Sequence, residues 1–282
     1  RQFRRLHEIL IAPIADLLPS NPSERVIFVP HDSLFLVPFS ALQDASGKYL
    51  IEKHTILTTP SIQVLEFTRD RLSQVTMGNL NGGNRDVLIV GNPIMPVLES
   101  GQLSPLPGSE QEAQDIGELW NVSPLIGSTA TKSRVVEQML SSRIIHLATH
   151  GSFDSNVPLE SWLALTPSGT DNGLLTAGEI LGLKLNAELV VLSACDTGRG
   201  KITGDGVVGL SRSFISAGVP SILVSLWEVP DYSTSVLMQE FYKVFQESGD
   251  KARALREAML ATMQQYPNPE EWAAFTLMGE AE

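Results

Sequence analysis

A single cysteine, Cys195, stands in 282 residues, so no disulfide can close within the chain and a reducing cytoplasm suits it. Positive charge is scarce as well: 20 Lys and Arg face 32 Asp and Glu, a formal net charge of −12. A surface of that sign repels phosphate backbones and anionic lipid, and no local basic cluster offsets it. Neither direct nucleic-acid binding nor a membrane-surface role is expected. Long apolar runs are missing too. The most apolar stretch, Gly206 to Trp227, is interrupted by Ser211, Ser213, Ser216 and Pro220 and reads as helix, turn and buried strand rather than as a membrane span. No charged segment followed by an apolar core and a small-residue cleavage site opens the chain, which starts at Arg1 and is expected to be a piece of something longer.

What is present suffices for a core. The composition is 43% apolar and 18% charged, which excludes general disorder, and the length allows one large domain or two modest ones. No repeat of about 20 to 50 residues recurs, so no solenoid is contained here.

Apolar positions recur at helical spacing from Phe3 to Leu18, with Pro13 expected to divide the segment. Val26 to Pro30 and Leu34 to Pro38, separated by His31-Asp32-Ser33, suggest a hairpin or paired strands, and Tyr49 to Ile51 and Thr55 to Thr59 suggest further short strands. Ser61 to Leu72 is helical in period and stops before a Gly- and Asn-rich stretch, 77–84, read as a linker. Beyond it, compact apolar runs alternate with amphipathic segments, the pattern of a parallel sheet covered on both faces. The strands are expected at Asp86 to Val90, Arg143 to Ala148, Glu188 to Leu192 and Ser221 to Leu226. Helices are expected at Ser109 to Trp120, Thr131 to Leu140, Thr176 to Leu181, Val207 to Ala217, Tyr232 to Glu247 and Lys251 to Gln265, with a last apolar segment from Trp272 to Met278. Ser109 followed by Glu112 fits a capping box.

In open sheets of this kind ligands bind beyond the carboxyl ends of the strands. The residues there are Gly91-Asn92-Pro93, Thr149-His150-Gly151, Ser193 to Gly198, and Trp227 to Asp231. The only cysteine and one of five histidines thus hold equivalent places on what could be neighbouring strands, about 4.8 Å apart. An imidazole beside a thiol takes its proton or, as a cation, stabilises the thiolate. Cys195 would then be a nucleophile, with the N–H groups of Gly151 and Cys195 as an oxyanion hole. The plainer alternative is a small buried cysteine and a structural histidine.

Other chemistries fit less well. His146 and His150 are four apart, but the residues between them carry no glutamate and one cysteine cannot build a structural zinc cluster, so metal binding is rejected. His146 is expected to pack within the sheet. Gly198-Arg199-Gly200-Lys201 lacks the Ser or Thr and the spacing of a phosphate loop, and Gly209-Leu210-Ser211-Arg212-Ser213 lacks the second glycine of a nucleophile elbow.

Taken together, Ile144 to Gly151, Leu189 to Gly198, Gly204-Asp205-Gly206-Val207, Gly218-Val219-Pro220 and Ser225-Leu226-Trp227 resemble the CHAT domain, a family of caspase-like cysteine peptidases related to separases and commonly found after tetratricopeptide repeats. Val29-Pro30, Leu36 to Phe39 and Trp272 to Phe275 extend the resemblance over nearly the whole chain. It implies an α/β fold: a caspase-like, mostly parallel central sheet with helices on both faces in residues 86–282, plus a smaller N-terminal α/β subdomain in 1–80 that lacks catalytic residues. His31 and His54 lie in that half and are read as structural. The resemblance implies a dyad of His150 as base and Cys195 as nucleophile, cutting a peptide bond through a thioester, with no third member and no cofactor. Ser225, Leu226 and Trp227 would pair with an extended protein or peptide substrate. Asp231, or alternatively Asp205, would line the pocket for an Arg or Lys preceding the cut. N-terminal repeats or a regulatory partner are implied, and a catalytically silent, peptide-binding domain of the same fold is the rival reading.

Overall fold

The computed structural model describes residues 2–80, 86–153, 157–193, 204–227 and 230–282, with 79–80 and 204–208 as backbone only. The helical period at the start becomes α1 (Gln2–Leu10), and Pro13 divides it from a 3-10 turn at Ala12–Leu17. There follow β1 (Arg25–Phe28), α2 (Leu50–Lys53), β2 (Thr55–Thr58) and α3 (Ile62–Leu80). Next come β3 (Asp86–Pro93), a small hairpin of β4 (Val97–Leu98) and β5 (Gly101–Gln102), α4 (Pro107–Trp120), β6 (Leu125–Gly127), α5 (Lys132–Met139) and β7 (Ser142–Ala148). The short strands β8 (Gly151–Ser152), β9 (Trp162–Ala164) and β10 (Leu174–Thr176) form a side sheet before α6 (Ala177–Leu181). The chain closes with β11 (Leu189–Leu192), α7 (Gly204–Ser216), β12 (Ser221–Ser225), α8 (Asp231–Ser248), α9 (Lys251–Gln265) and β13 (Phe275–Gly279).

The main sheet runs in the order β1-β2-β13-β12-β11-β7-β3-β6. The apolar runs read as strands form its centre: β12, β11, β7 and β3 are parallel neighbours, while β13 runs antiparallel to β12. β7 and β11 pair with His146 opposite Val191 and Leu147 opposite Leu192, so both end at the same edge. Strand alternation divides the core into two layers. Ile89, Ile144, Val191 and Leu223 meet Ile116 of α4, Phe241 of α8 and Leu255 of α9; Leu88, Ile145, Val190 and Ile222 meet Met139, Ile180 and Phe214 on the opposite face. β1 and β2 join the same sheet through β13, where Met278 faces Thr58.

Several local expectations give way to tertiary pairing. No hairpin forms at 26–38. The partner of β1 is β2, in parallel with Arg25 opposite Thr55, and Asp32–Leu36 is a 3-10 turn entered through a left-handed Asp32 at φ +51°. Pro30 and Pro38 carry no N–H for a ladder. The strand expected at 49–51 is instead the start of α2, where the Glu52 carboxylate accepts the Tyr49 N–H at 2.6 Å and closes the first turn. α3 continues through Gly78 to Leu80, so the first part of the stretch read as a linker, 77–80, is helical, and its remainder lies outside the described residues. The capping box at Ser109 and Glu112 does not form. α4 starts at Pro107, whose missing N–H costs nothing in a first turn, and Glu112 is buried instead.

Candidate active site

His150 stands two residues after the end of β7 and is 1% exposed. Its main chain is held by β9, where the Ala164 N–H donates to the His150 carbonyl at 2.8 Å, and the preceding Thr149 hydroxyl donates to the Ala164 carbonyl at 2.6 Å. The ring is held as well. Nε2 lies 2.8 Å from the main-chain carbonyl of Ser104. A carbonyl only accepts, so Nε2 carries the hydrogen and Nδ1 keeps its lone pair. Nδ1 is buried and has no hydrogen-bond partner among the described residues. In the neutral ring the tautomer is thereby set, with Nδ1 as the acceptor.

Ser104 lies between β5 and α4. The Leu106 N–H donates to Asn92 Oδ1 at 2.8 Å, and a small apolar cluster of Met95, Leu103 and Ala164 supports the loop. No third side chain was expected for the dyad, and the group that contacts His150 is a main-chain carbonyl. Such a group has no signature in a sequence, because every residue carries one.

Gly151 opens β8 opposite Leu163. The Ala164-to-His150 hydrogen bond makes Gly151 and Leu163 a non-hydrogen-bonded pair, so the Gly151 N–H faces away from β9. Cys195 lies outside the described residues, three positions beyond Leu192, as His150 lies three beyond its partner Leu147. Asp205 falls in α7, but its side chain is likewise outside them.

Ser225 ends β12 and is buried, and Leu226 follows it. The Leu226 N–H donates to the Ala274 carbonyl at 2.8 Å, and strand alternation turns the main-chain groups of Ser225 the opposite way, towards the β11 side. The Trp227 indole N–H donates to the Glu270 carbonyl at 3.0 Å. Asp231 is the first residue of α8 and packs onto the first turn of α4, where a Cβ on Gly108 would fall 1.9 Å from its carboxyl carbon. A cavity of about 460 Å³ opens there, lined by Gly108, Gln111, Asp115, Asp231 and Tyr232. In the N-terminal half His54 is buried, and desolvation lowers its pKa, with the charges of Lys53 and Arg256 adding to the effect. Among the described residues no group of three or more His, Cys, Asp and Glu could hold a metal ion, and no helix is long and apolar enough to cross a membrane.

A family model described as CHAT domain matches residues 1–280. The chain belongs to the CHAT domain family. Curated relatives are Tetratricopeptide repeat protein 28 of Homo sapiens, 30% identical over 325 residues, and of Mus musculus, 29% identical. Each match covers 98% of this CHAT domain but only 13% of the relative. Among solved structures, the Saccharomyces cerevisiae separase–securin complex aligns with a TM-score of 0.53 at 15% identity, covering 86% of this chain and 14% of that one. A complex of the pro- and mature domains of Porphyromonas gingivalis RgpB aligns with a TM-score of 0.51 at 13% identity, covering 80% and 55%. The fold is caspase-like.

One cluster in the CHAT domain was missed by sequence reasoning. His146, on the face of β7 towards α4 and α8, has Nδ1 3.1 Å from the Tyr242 hydroxyl and Nε2 3.1 Å from Glu112 Oε1. The other oxygen of Glu112 accepts the Ser193 hydroxyl at 3.2 Å. Glu112, His146 and Tyr242 are buried, and desolvation pushes the Tyr242 phenol well above its usual pKa, helped by the Glu112 charge. The available signal was a glutamate interrupting the apolar face of α4, which local spacing disguised as a cap.

Proposed function

We propose that this CHAT domain is a cysteine endopeptidase in which His150 activates Cys195. The observation that carries the reading is the buried His150 ring, its Nε2–H given to Ser104 and its Nδ1 lone pair unclaimed among the described residues. The parallel pairing of β7 with β11 supports the cysteine as partner, because the paired residues Leu147 and Leu192 precede His150 and Cys195 by the same number of positions.

In this reading Nδ1 takes the thiol proton and the thiolate sulfur bonds to the scissile carbonyl carbon. The oxyanion is stabilised by the N–H groups of Gly151 and Cys195. The carbon–nitrogen bond breaks as the imidazolium returns the proton to the leaving amine. Water then opens the thioester, restoring the thiol and releasing the acid. Ser225, Leu226 and Trp227 line the extended substrate, with the main-chain groups of Ser225 on the side away from β13. Asp231, or Asp205, selects Arg or Lys before the cut. Repeats on the N-terminal side or a partner protein regulate the site in a reducing, cytoplasmic setting.

A peptide-library cleavage screen with Cys195→Ala as control tests this. Cleavage lost in Cys195→Ala, together with iodoacetamide labelling of Cys195 that slows about 10²- to 10⁴-fold in His150→Ala, is the expected result. No cleavage, with slow labelling indifferent to His150, would favour a silent peptide-binding module.

A further inference from the structure

We propose that α4 is the common anchor of both halves of the dyad, holding His150 through the loop that enters it at Ser104 and the cysteine-bearing segment through Glu112. This rests on the peptidase reading and adds to it a positioning residue, Glu112, that touches neither substrate nor reacting atoms.

Among the described residues, β11 pairs on both sides as far as Leu192, which faces Leu147 in β7 and Val224 in β12. Ser193 is the next residue and stands two positions before Cys195. Its hydroxyl donates to Glu112 Oε2 at 3.2 Å, a tie between the strand end and the middle of α4.

α4 is itself rigidly seated. A Cβ on Gly91 would lie 2.4 Å from the Ser109 carbonyl and 2.5 Å from Ala113 Cβ, so helix and β3 are packed backbone to backbone. Asn92, left-handed at φ +43°, holds both ends of the helix entry, accepting from the Leu106 N–H and donating to Glu110 Oε2 at 2.9 Å. Two residues before Leu106 is the Ser104 carbonyl that orients His150. One helix therefore holds both the carbonyl that orients the imidazole and the serine that stands two positions before Cys195.

Packing alone would be better served by hydrocarbon at position 112. The Glu112 carboxylate is 3% exposed: Ser193 donates to Oε2, while His146 Nε2, with Tyr242 at its other nitrogen, lies 3.1 Å from Oε1 without a hydrogen bond. Replacing such a buried polar set with apolar groups is commonly neutral or stabilising. What an apolar group cannot do is hold a strand end by a directed bond.

The test compares Ser193→Ala, Ser193→Thr and Glu112→Gln with the unaltered protein, reading kcat and KM on a library-selected peptide, the alkylation rate of Cys195, and Tm. Ser193→Ala keeps the Glu112–His146–Tyr242 contacts but removes the donor to Glu112 Oε2, so the rates are read well below the measured Tm. Displacement of a reacting group by about 1 Å can cost about 100-fold, so kcat should fall ~10- to 100-fold with KM nearly unchanged and alkylation slowed. Ser193→Thr and Glu112→Gln, which preserve the hydroxyl donor and the acceptor, should recover most of the rate. Unaltered kcat and alkylation in Ser193→Ala, or loss that Thr does not rescue, overturns the proposal. If the unaltered protein cleaves nothing but alkylation still responds to Ser193→Ala with rescue by Thr, the peptidase reading fails and the anchor stands. Normal cleavage in both the unaltered protein and Ser193→Ala removes the anchor alone.

Discussion

The His150 imidazole and the Ser104 carbonyl lie 2.8 Å apart although 46 residues separate them along the chain. The loop that carries Ser104 is supported by few side chains, and Leu103, 7% exposed, is the chief apolar one next to it. Leu103→Ala should cost about 2–4 kcal/mol of local or global stability and loosen the carbonyl's hold on the imidazole. Alkylation of Cys195 and peptide cleavage should both drop, with a lowered urea midpoint. Unchanged rates would show that the carbonyl is not a determinant of the ring's orientation.

Asp231 and Gly108 make a second test. Since a Cβ on Gly108 would fall 1.9 Å from the Asp231 carboxyl carbon, Gly108→Ala must push that side chain away. If Asp231 selects the residue before the cut, Gly108→Ala and Asp231→Ala should both weaken a preference for Arg or Lys, and a library screen reads it directly. A preference that survives both changes assigns the role elsewhere, with Asp205 the next to try.

Gly91 tests the seating of α4. Its Cβ would meet the Ser109 carbonyl at 2.4 Å, a backbone atom that cannot swing aside as a flexible side chain would. Gly91→Ala should therefore destabilise the fold by about 1–3 kcal/mol through overpacking, seen as a lower Tm. Activity measured well below that Tm should fall as well, because the helix cannot shift without moving Glu112.

At the opposite edge of the sheet, Lys251 is buried near the Phe245 ring, and desolvation brings its pKa down from 10.5 to about 8. The sign follows from proton uptake. Between pH 8 and about 10.5 the unfolded chain holds more protons at this residue than the folded one, so its contribution to stability rises with pH there. Below pH 8 the fold bears the full cost of burying the charge. Lys251→Met should thus stabilise the protein at pH 7 by on the order of 1–3 kcal/mol, and the gain should shrink as pH climbs from 8 towards 10.5. Paired denaturant titrations at pH 7 and 10 check it; a gain that is constant or grows with pH contradicts it.

The central strands were legible because each is a short apolar run buried on both faces, and Leu88 to Val90, Ile144 to Ala148, Leu189 to Leu192 and Ile222 to Val224 need no partner's identity to be recognised. β1 was legible as a strand but not in its pairing, since its neighbour β2 begins 30 positions further on and the nearer run, Leu34 to Pro38, offered itself first. Glu112 shows the same limit from another side. Three residues after a serine it satisfies a local cap pattern, and only the packing of α4 against β7 and β11 turns its carboxylate towards His146 and Ser193.

Residue order by itself pointed to the parallel core through its apolar period, to His150 and Cys195 as candidates through side-chain types at strand ends, and to the family through the motifs that resemble it. Tertiary structure alone decided which nitrogen of His150 bears the hydrogen and what holds Ser193. Both are settled by groups on distant segments, one of them a backbone carbonyl, and hydrogen bonds of that kind arise from proximity that no local pattern encodes.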